Sequence, residues 1–123
     1  MEYGPQTDRI ALVIAAPGIW RDALVSLLRA QPNLAVCHVV SDPDTARVLI
    51  ERGAVAIVFT ECSADERPLL DFLTWLQDAH PAVRCVVAVD TRAQKAHCIA
   101  AGAYMTLLKG WLDERVLQQA VAG

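Results

Sequence analysis

Short uninterrupted apolar runs alternate along this chain with segments whose apolar residues recur every three or four positions. Arg9 to Ile14 (RIALVI) is apolar and partly β-branched, which predicts a buried strand. From Gly18 to Ala30, Ile19, Ala23, Leu24, Leu27 and Leu28 share one helical face, and Pro32-Asn33 then breaks the chain. Leu34 to Val40 predicts a second strand. Asp42 is placed to cap the next helix, with Pro43 at its first position, where a missing N–H costs nothing; Gly53 ends it. Val55 to Thr60 (VAIVFT) predicts a third strand. Ser63-Ala-Asp-Glu66 has capping-box spacing before a helix that carries Leu69, Leu73 and Leu76 and ends near His80-Pro81. Val83 to Val89 predicts a fourth strand. Asp90 or Thr91 is placed to cap a helix running to Ala101, and Gly102 suits a left-handed exit. Ala103 to Leu108 predicts the fifth strand. Leu112 to Ala122 predicts the last helix, with Leu112, Val116, Leu117 and Ala120 inward.

Strands apolar on both faces, each followed by one helix, imply a parallel sheet covered on both sides. Right-handed crossovers leave few topologies. The expected architecture is α/β, a flavodoxin-like (βα)5 doubly wound sandwich with strand order 2-1-3-4-5. The length suits one domain over residues 1–123, with residues 1–8 as an N-terminal tail.

Composition narrows the function. Hydrophobic residues make up 54% and charged residues 20%, a core-rich balance. The net charge of -3, without a Lys/Arg cluster, argues against direct nucleic-acid binding by this domain. No apolar run approaches the roughly 20 residues that span a bilayer, and MEYGPQTD is not built like a signal peptide. No membrane contact and a cytoplasmic location are the expectations. Cys37, Cys62, Cys85 and Cys98 form no CxxC pair and are read as reduced, mostly buried thiols. His97 and Cys98 are adjacent, so on a helix they point apart, and no metal is expected.

In this architecture ligands bind at the carboxyl ends of the strands, beside the switch point between the first and third. The residues there are Ala15, Ala16, Pro17 and Gly18; Thr60 and Glu61; Val89, Asp90 and Thr91; and Lys109 with Gly110. A G-x-G-x-x-G cradle and a G-x-S-x-G elbow are both absent. Neither an enzyme nor a bound cofactor is expected.

Ile14-Ala-Ala-Pro-Gly-Ile-Trp-Arg21 with Ala23-Leu-Val-Ser-Leu-Leu28, Ala54-Val-Ala-Ile-Val-Phe-Thr60 and Gly102-Ala-Tyr-Met-Thr-Leu-Leu-Lys109 resemble elements of response-regulator receiver domains. Ala79-His-Pro-Ala-Val-Arg84 resembles the subfamily that carries a LuxR-type DNA-binding domain downstream. The likeness runs from Arg9 to Ala122. It implies two acidic residues after the first strand, a phosphoacceptor aspartate ending the third and a hydroxyl residue ending the fourth. Ala15 and Ala16 stand for the acidic pair, Thr60 for the acceptor and Val89 for the hydroxyl; only Lys109 keeps the family's residue. Mg²⁺ needs hard oxygen ligands, which alanine lacks. Without the cation a transferring phosphoryl group loses its main charge stabiliser. An almost uncharged crevice and no aspartyl phosphorylation are expected, with Lys109 pairing to Glu61 or Asp90 or reaching water.

The resemblance therefore implies a degenerate pseudo-receiver: a phosphorylation-independent interaction or dimerisation module in bacterial signalling or transcription control. Its partner is a protein or a second copy. The family's pairing surface maps to Arg92, Lys95, Tyr104, Asp113, Glu114 and Arg115. Trp20 and Trp111, at the starts of the first and last helices, are read as crevice covers or partner anchors, against ordinary packing. Two alternatives stay open. A small-ligand sensor predicts a sizeable apolar pocket at Ala15, Ala16 and Thr60, whereas an interaction module predicts that space filled by Trp20 or Trp111. The other alternative is a phosphotransfer receiver with relocated acids.

Overall fold

The computed structural model describes residues 9–122, the side chain of Trp111 excepted. The expected tail at residues 1–8 and the role expected of the Trp111 indole lie outside the described residues. Strands β1 (Arg9–Ile14), β2 (Leu34–Val40), β3 (Ile57–Glu61), β4 (Arg84–Val89) and β5 (Met105–Leu108) alternate with five helices. These are α1 (Ile19–Arg29), α2 (Pro43–Glu51), α3 (Arg67–Ala79), α4 (Arg92–Ala101) and α5 (Glu114–Ala122). The strands pair in parallel in the order β2-β1-β3-β4-β5, the flavodoxin-like (βα)5 arrangement that the alternation predicts.

Two cores follow from the strand period of two. Val13, Phe59 and Val86 face Leu24 and Leu28 of α1 and Leu117 of α5. Leu12, Val58 and Val87 face the opposite way, against Ile50 of α2, Phe72 of α3 and Cys98 of α4. No described helix is long and apolar enough to cross a membrane.

Local departures from the sequence reading have identifiable causes. The capping box does not form. Ser63 Oγ donates to the Asp65 carbonyl at 3.0 Å, and the Glu66 carboxylate lies 2.7 Å from His97 Nδ1 on α4. With both partners engaged elsewhere, α3 starts only at Arg67, whose N–H reaches Asp65 Oδ1 at 3.3 Å. The last helix starts at Glu114 rather than Leu112, because Asp113 Oδ1 accepts the Val116 N–H at 2.9 Å and closes the first turn there. Residues 109–111 form a 3-10 turn between β5 and α5, so Trp111 precedes the helix rather than opening it.

Candidate functional site

The carboxyl ends of β3, β4 and β5 converge on Lys109. Its ammonium lies 3.1 Å from Glu61 Oε1 and 3.3 Å from Asp90 Oδ2, and it donates to the Cys62 carbonyl at 3.1 Å. An ammonium has three N–H donors, and three acceptors take them. Burial alone pulls the Lys109 pKa down. The hydrogen bond to Glu61 and the charges of Glu61 and Asp90 outweigh it, so the group sits above the ordinary lysine value.

Each acidic partner is held by its element. Glu61 ends β3 and pairs in register with Ala88 of β4. Asp90 follows β4, and its N–H donates to Gln94 Oε1 at 2.7 Å. Gln94 is buried, and its amide also donates to the Ser63 carbonyl at 3.5 Å, tying the β4–α4 and β3–α3 loops together. The Gln94 N–H in turn bonds the Thr91 hydroxyl that caps α4. Sequence reading passed over Gln94. Its signal was a polar residue four positions before Cys98, on the face that α4 turns to the sheet.

The sequence-predicted positions separate here. Thr60 is 4% exposed, and its hydroxyl donates to the Ile14 carbonyl at 2.9 Å. Val89 is 1% exposed and packs in the core beneath α2, α3 and α4. Ala15 is buried, with its N–H on the Val40 carbonyl at 2.9 Å, and Ala16 is exposed. The two carboxylates at Lys109 come one residue later than Thr60 and Val89, from Glu61 and Asp90. The expectation of an almost uncharged crevice is therefore corrected. Where a strand ends, the pleat no longer fixes a side chain's direction, and both acids turn to the lysine.

A cleft of about 310 Å³ opens beside this cluster, over Ala15, Ala16 and Thr60, with Pro43, Pro68 and Leu69 among its walls. Trp20 does not fill it. That ring packs on the α1/α5 core, with Nε1 buried and unpaired, over a void of about 10 Å³ between Leu24, Phe59 and Leu112. Arg92, Lys95, Tyr104, Asp113, Glu114 and Arg115 are all exposed. The Tyr104 ring carries the Arg84 guanidinium 4.7 Å from its centroid. Among the described residues, no three His, Cys, Asp or Glu side chains converge as metal ligands would.

No protein-family model and no curated protein matches the sequence. Solved structures do. The chain is similar to a LuxR-family two-component response regulator from Aurantimonas sp. SI85-9A1, at 24% identity over 94% of this chain and 83% of that one, with a TM-score of 0.78. It is similar to the signal receiver domain of the response regulator NarL from Mycobacterium tuberculosis, at 16% identity, 97% and 99% coverage and a TM-score of 0.79. The response regulator ChrA of a heme-sensing two-component system matches at 22% identity over 94% of this chain, with a TM-score of 0.76; the chain spans 56% of ChrA's length. With its parallel sheet in the order β2-β1-β3-β4-β5 and these neighbours, the chain has the receiver-domain fold of response regulators.

Proposed function

We propose that this chain is a phosphorylation-independent, non-enzymatic receiver-type module that works by binding a protein partner or a second copy of itself. The setting is cytoplasmic signal transduction or transcription control in a bacterium. One observation carries this reading: the Lys109 ammonium is already saturated by Glu61, Asp90 and the Cys62 carbonyl. A phosphoryl group arriving there would have to displace a carboxylate from the cation it needs. Ala15 and Ala16 bring no carboxylate for Mg²⁺ on the β1 side, so negative ligand charge that would hold the cation against a phosphoryl group is missing there. Direct DNA contact is not part of this reading, because the chain carries a net charge of -3.

Incubating the folded chain with acetyl phosphate and Mg²⁺, then measuring intact mass, tests the reading. An unchanged mass is expected. A phosphate adduct overturns it and favours a phosphotransfer site built on Glu61 and Asp90.

The cleft over Ala15, Ala16 and Thr60 favours a second reading, a sensor of a small, largely apolar ligand, since about 310 Å³ is at the lower end of ligand-pocket sizes. Amide shifts confined to those three residues on titration with small neutral ligands support it. Silence at those amides rejects it.

A further inference from the structure

At the amino end of the sheet, opposite Lys109, a cleft of about 380 Å³ opens between β1, the turn joining α1 to β2, and the last turns of α5. Gln31, Pro32 and Asn33 supply the turn, Arg9 the strand, and Gln118 and Val121 the helix. Asn33 has a left-handed backbone at φ 64, and its carbonyl accepts the Arg9 N–H at 2.9 Å, which fixes the turn beside the start of β1. The Gln31 N–H closes on the Leu28 carbonyl at 3.0 Å, just past the end of α1.

Gln31 is not satisfied by these surroundings. It is 5% exposed, and its Nε2 is covered and bonded to no acceptor among the described residues. Covered amide donors are nearly always paired, so this one marks a place where an acceptor belongs. The Arg9 guanidinium stands at the same cleft. One of its N–H groups holds the Val121 carbonyl at 2.6 Å, which ties β1 to the end of α5 and offsets the negative end of that helix. Asn33 and Gln118 add exposed amides at the rim. Among the described lining residues there is no Asp or Glu, and Pro32 and Val121 form an apolar wall.

We propose that this cleft binds a small organic carboxylate, one oxygen taken by the Arg9 guanidinium and the other by the Gln31 amide, which turns its Nε2 toward the cleft. A single guanidinium matches one negative charge, which favours a carboxylate over the more highly charged phosphate. Pro32 and Val121 cover the acid's apolar body, and the volume lies at the lower end of small-ligand sites. The site is separate from the Lys109 cluster. Its failure leaves the reading of Lys109 unchanged, and a phosphate adduct at the other end of the sheet leaves this site untouched.

Titrating the full chain with sodium benzoate, against sodium chloride at equal ionic strength, tests the proposal through backbone amide shifts. Saturable shifts at Gln31, Asn33, Gln118 and Val121 are expected, with benzamide and inorganic phosphate roughly tenfold weaker or worse. Gln31→Leu keeps the buried volume and removes the unpaired donor. It should melt no lower than wild type and bind benzoate about tenfold more weakly. Arg9→Lys keeps the charge, loses the planar fork and should weaken binding severalfold. Shifts that match sodium chloride, benzamide binding as tightly as benzoate, or phosphate binding more tightly overturn the proposal. Saturable shifts centred on Ala15, Ala16 and Thr60 place the acid in the other cleft and overturn it as well. So does unchanged affinity in a folded Gln31→Leu chain.

Discussion

Lys109 and Thr60 both lie at the carboxyl ends of strands, yet their environments oppose each other. Lys109 gathers two carboxylates and a carbonyl, whereas Thr60 is closed off by one hydroxyl bond to Ile14. Lys109→Met leaves Glu61 and Asp90 facing each other without their cation. It should lower unfolding stability in urea by about 1–2 kcal/mol. The folded state holds the Lys109 proton more tightly than the unfolded chain does. The ion pair's contribution is therefore complete below the ordinary lysine pKa and fades as pH rises through the elevated folded value. Urea midpoints of wild type and Lys109→Met should converge at strongly alkaline pH. Thr60→Val should cost about 1 kcal/mol, the worth of one buried hydrogen bond. Thr60→Asp should cost about 3 kcal/mol or more, because it places a carboxylate in a site only 4% exposed. It should also leave the chain unphosphorylated by acetyl phosphate, since the acids at Lys109 come from the following positions.

Among the helices, α4 depends most on its ends and its ties. Its inner face buries only Gln94 and Cys98. Thr91 caps it by accepting the Gln94 N–H at 3.1 Å, and Thr91→Ala should lower stability by about 1 kcal/mol. Gly102 closes the other end at φ 113, with a Cβ there only 2.8 Å from Gln77 Oε1. Gly102→Ala combines a left-handed backbone with this contact and should cost about 1–2 kcal/mol in a thermal melt. Gln94→Leu keeps the burial but frees the Asp90 and Ser63 loops. Faster amide hydrogen exchange confined to residues 61–66 and 90–98 is the expected result, and uniform exchange across the chain would contradict it.

For the whole molecule, the proposed partner surface is the exposed mixed-charge face with Arg92, Lys95 and Tyr104 on one side and Asp113, Glu114 and Arg115 on the other. A two-fold interface sets each charge against its opposite on the second copy. Light scattering over a concentration series should show a rise toward twice the chain's mass. Reversing Arg92 and Lys95 to Glu should weaken that association at least tenfold, about 1.4 kcal/mol. A strict monomer at the highest concentration removes self-association and leaves a different protein as the partner.

The sequence by itself determined the architecture. Strand-length apolar runs, helical apolar stripes, the Asp42 and Thr91 caps and Gly102 all state local preferences that agree with one parallel sheet, and every expected element forms. It also determined that Ala15 and Ala16 carry no side-chain oxygen, whatever the fold. Element ends were less legible. Ser63 and Glu66 have the spacing of a cap, but Glu66 has a partner in His97, 31 residues away. The tertiary structure alone decided which strand-end residues face each other. Thr60 and Glu61 are adjacent in sequence, and only the docking of β5 beside β4 brings Lys109 to Glu61 and Asp90 and leaves Thr60 in the core. Cys62 and Cys98, 36 residues apart, likewise join one core only because α4 packs on that face of the sheet. Local patterns report on the chain's own neighbours, whereas a site is made from contacts between distant segments, and those are set by how the elements pack.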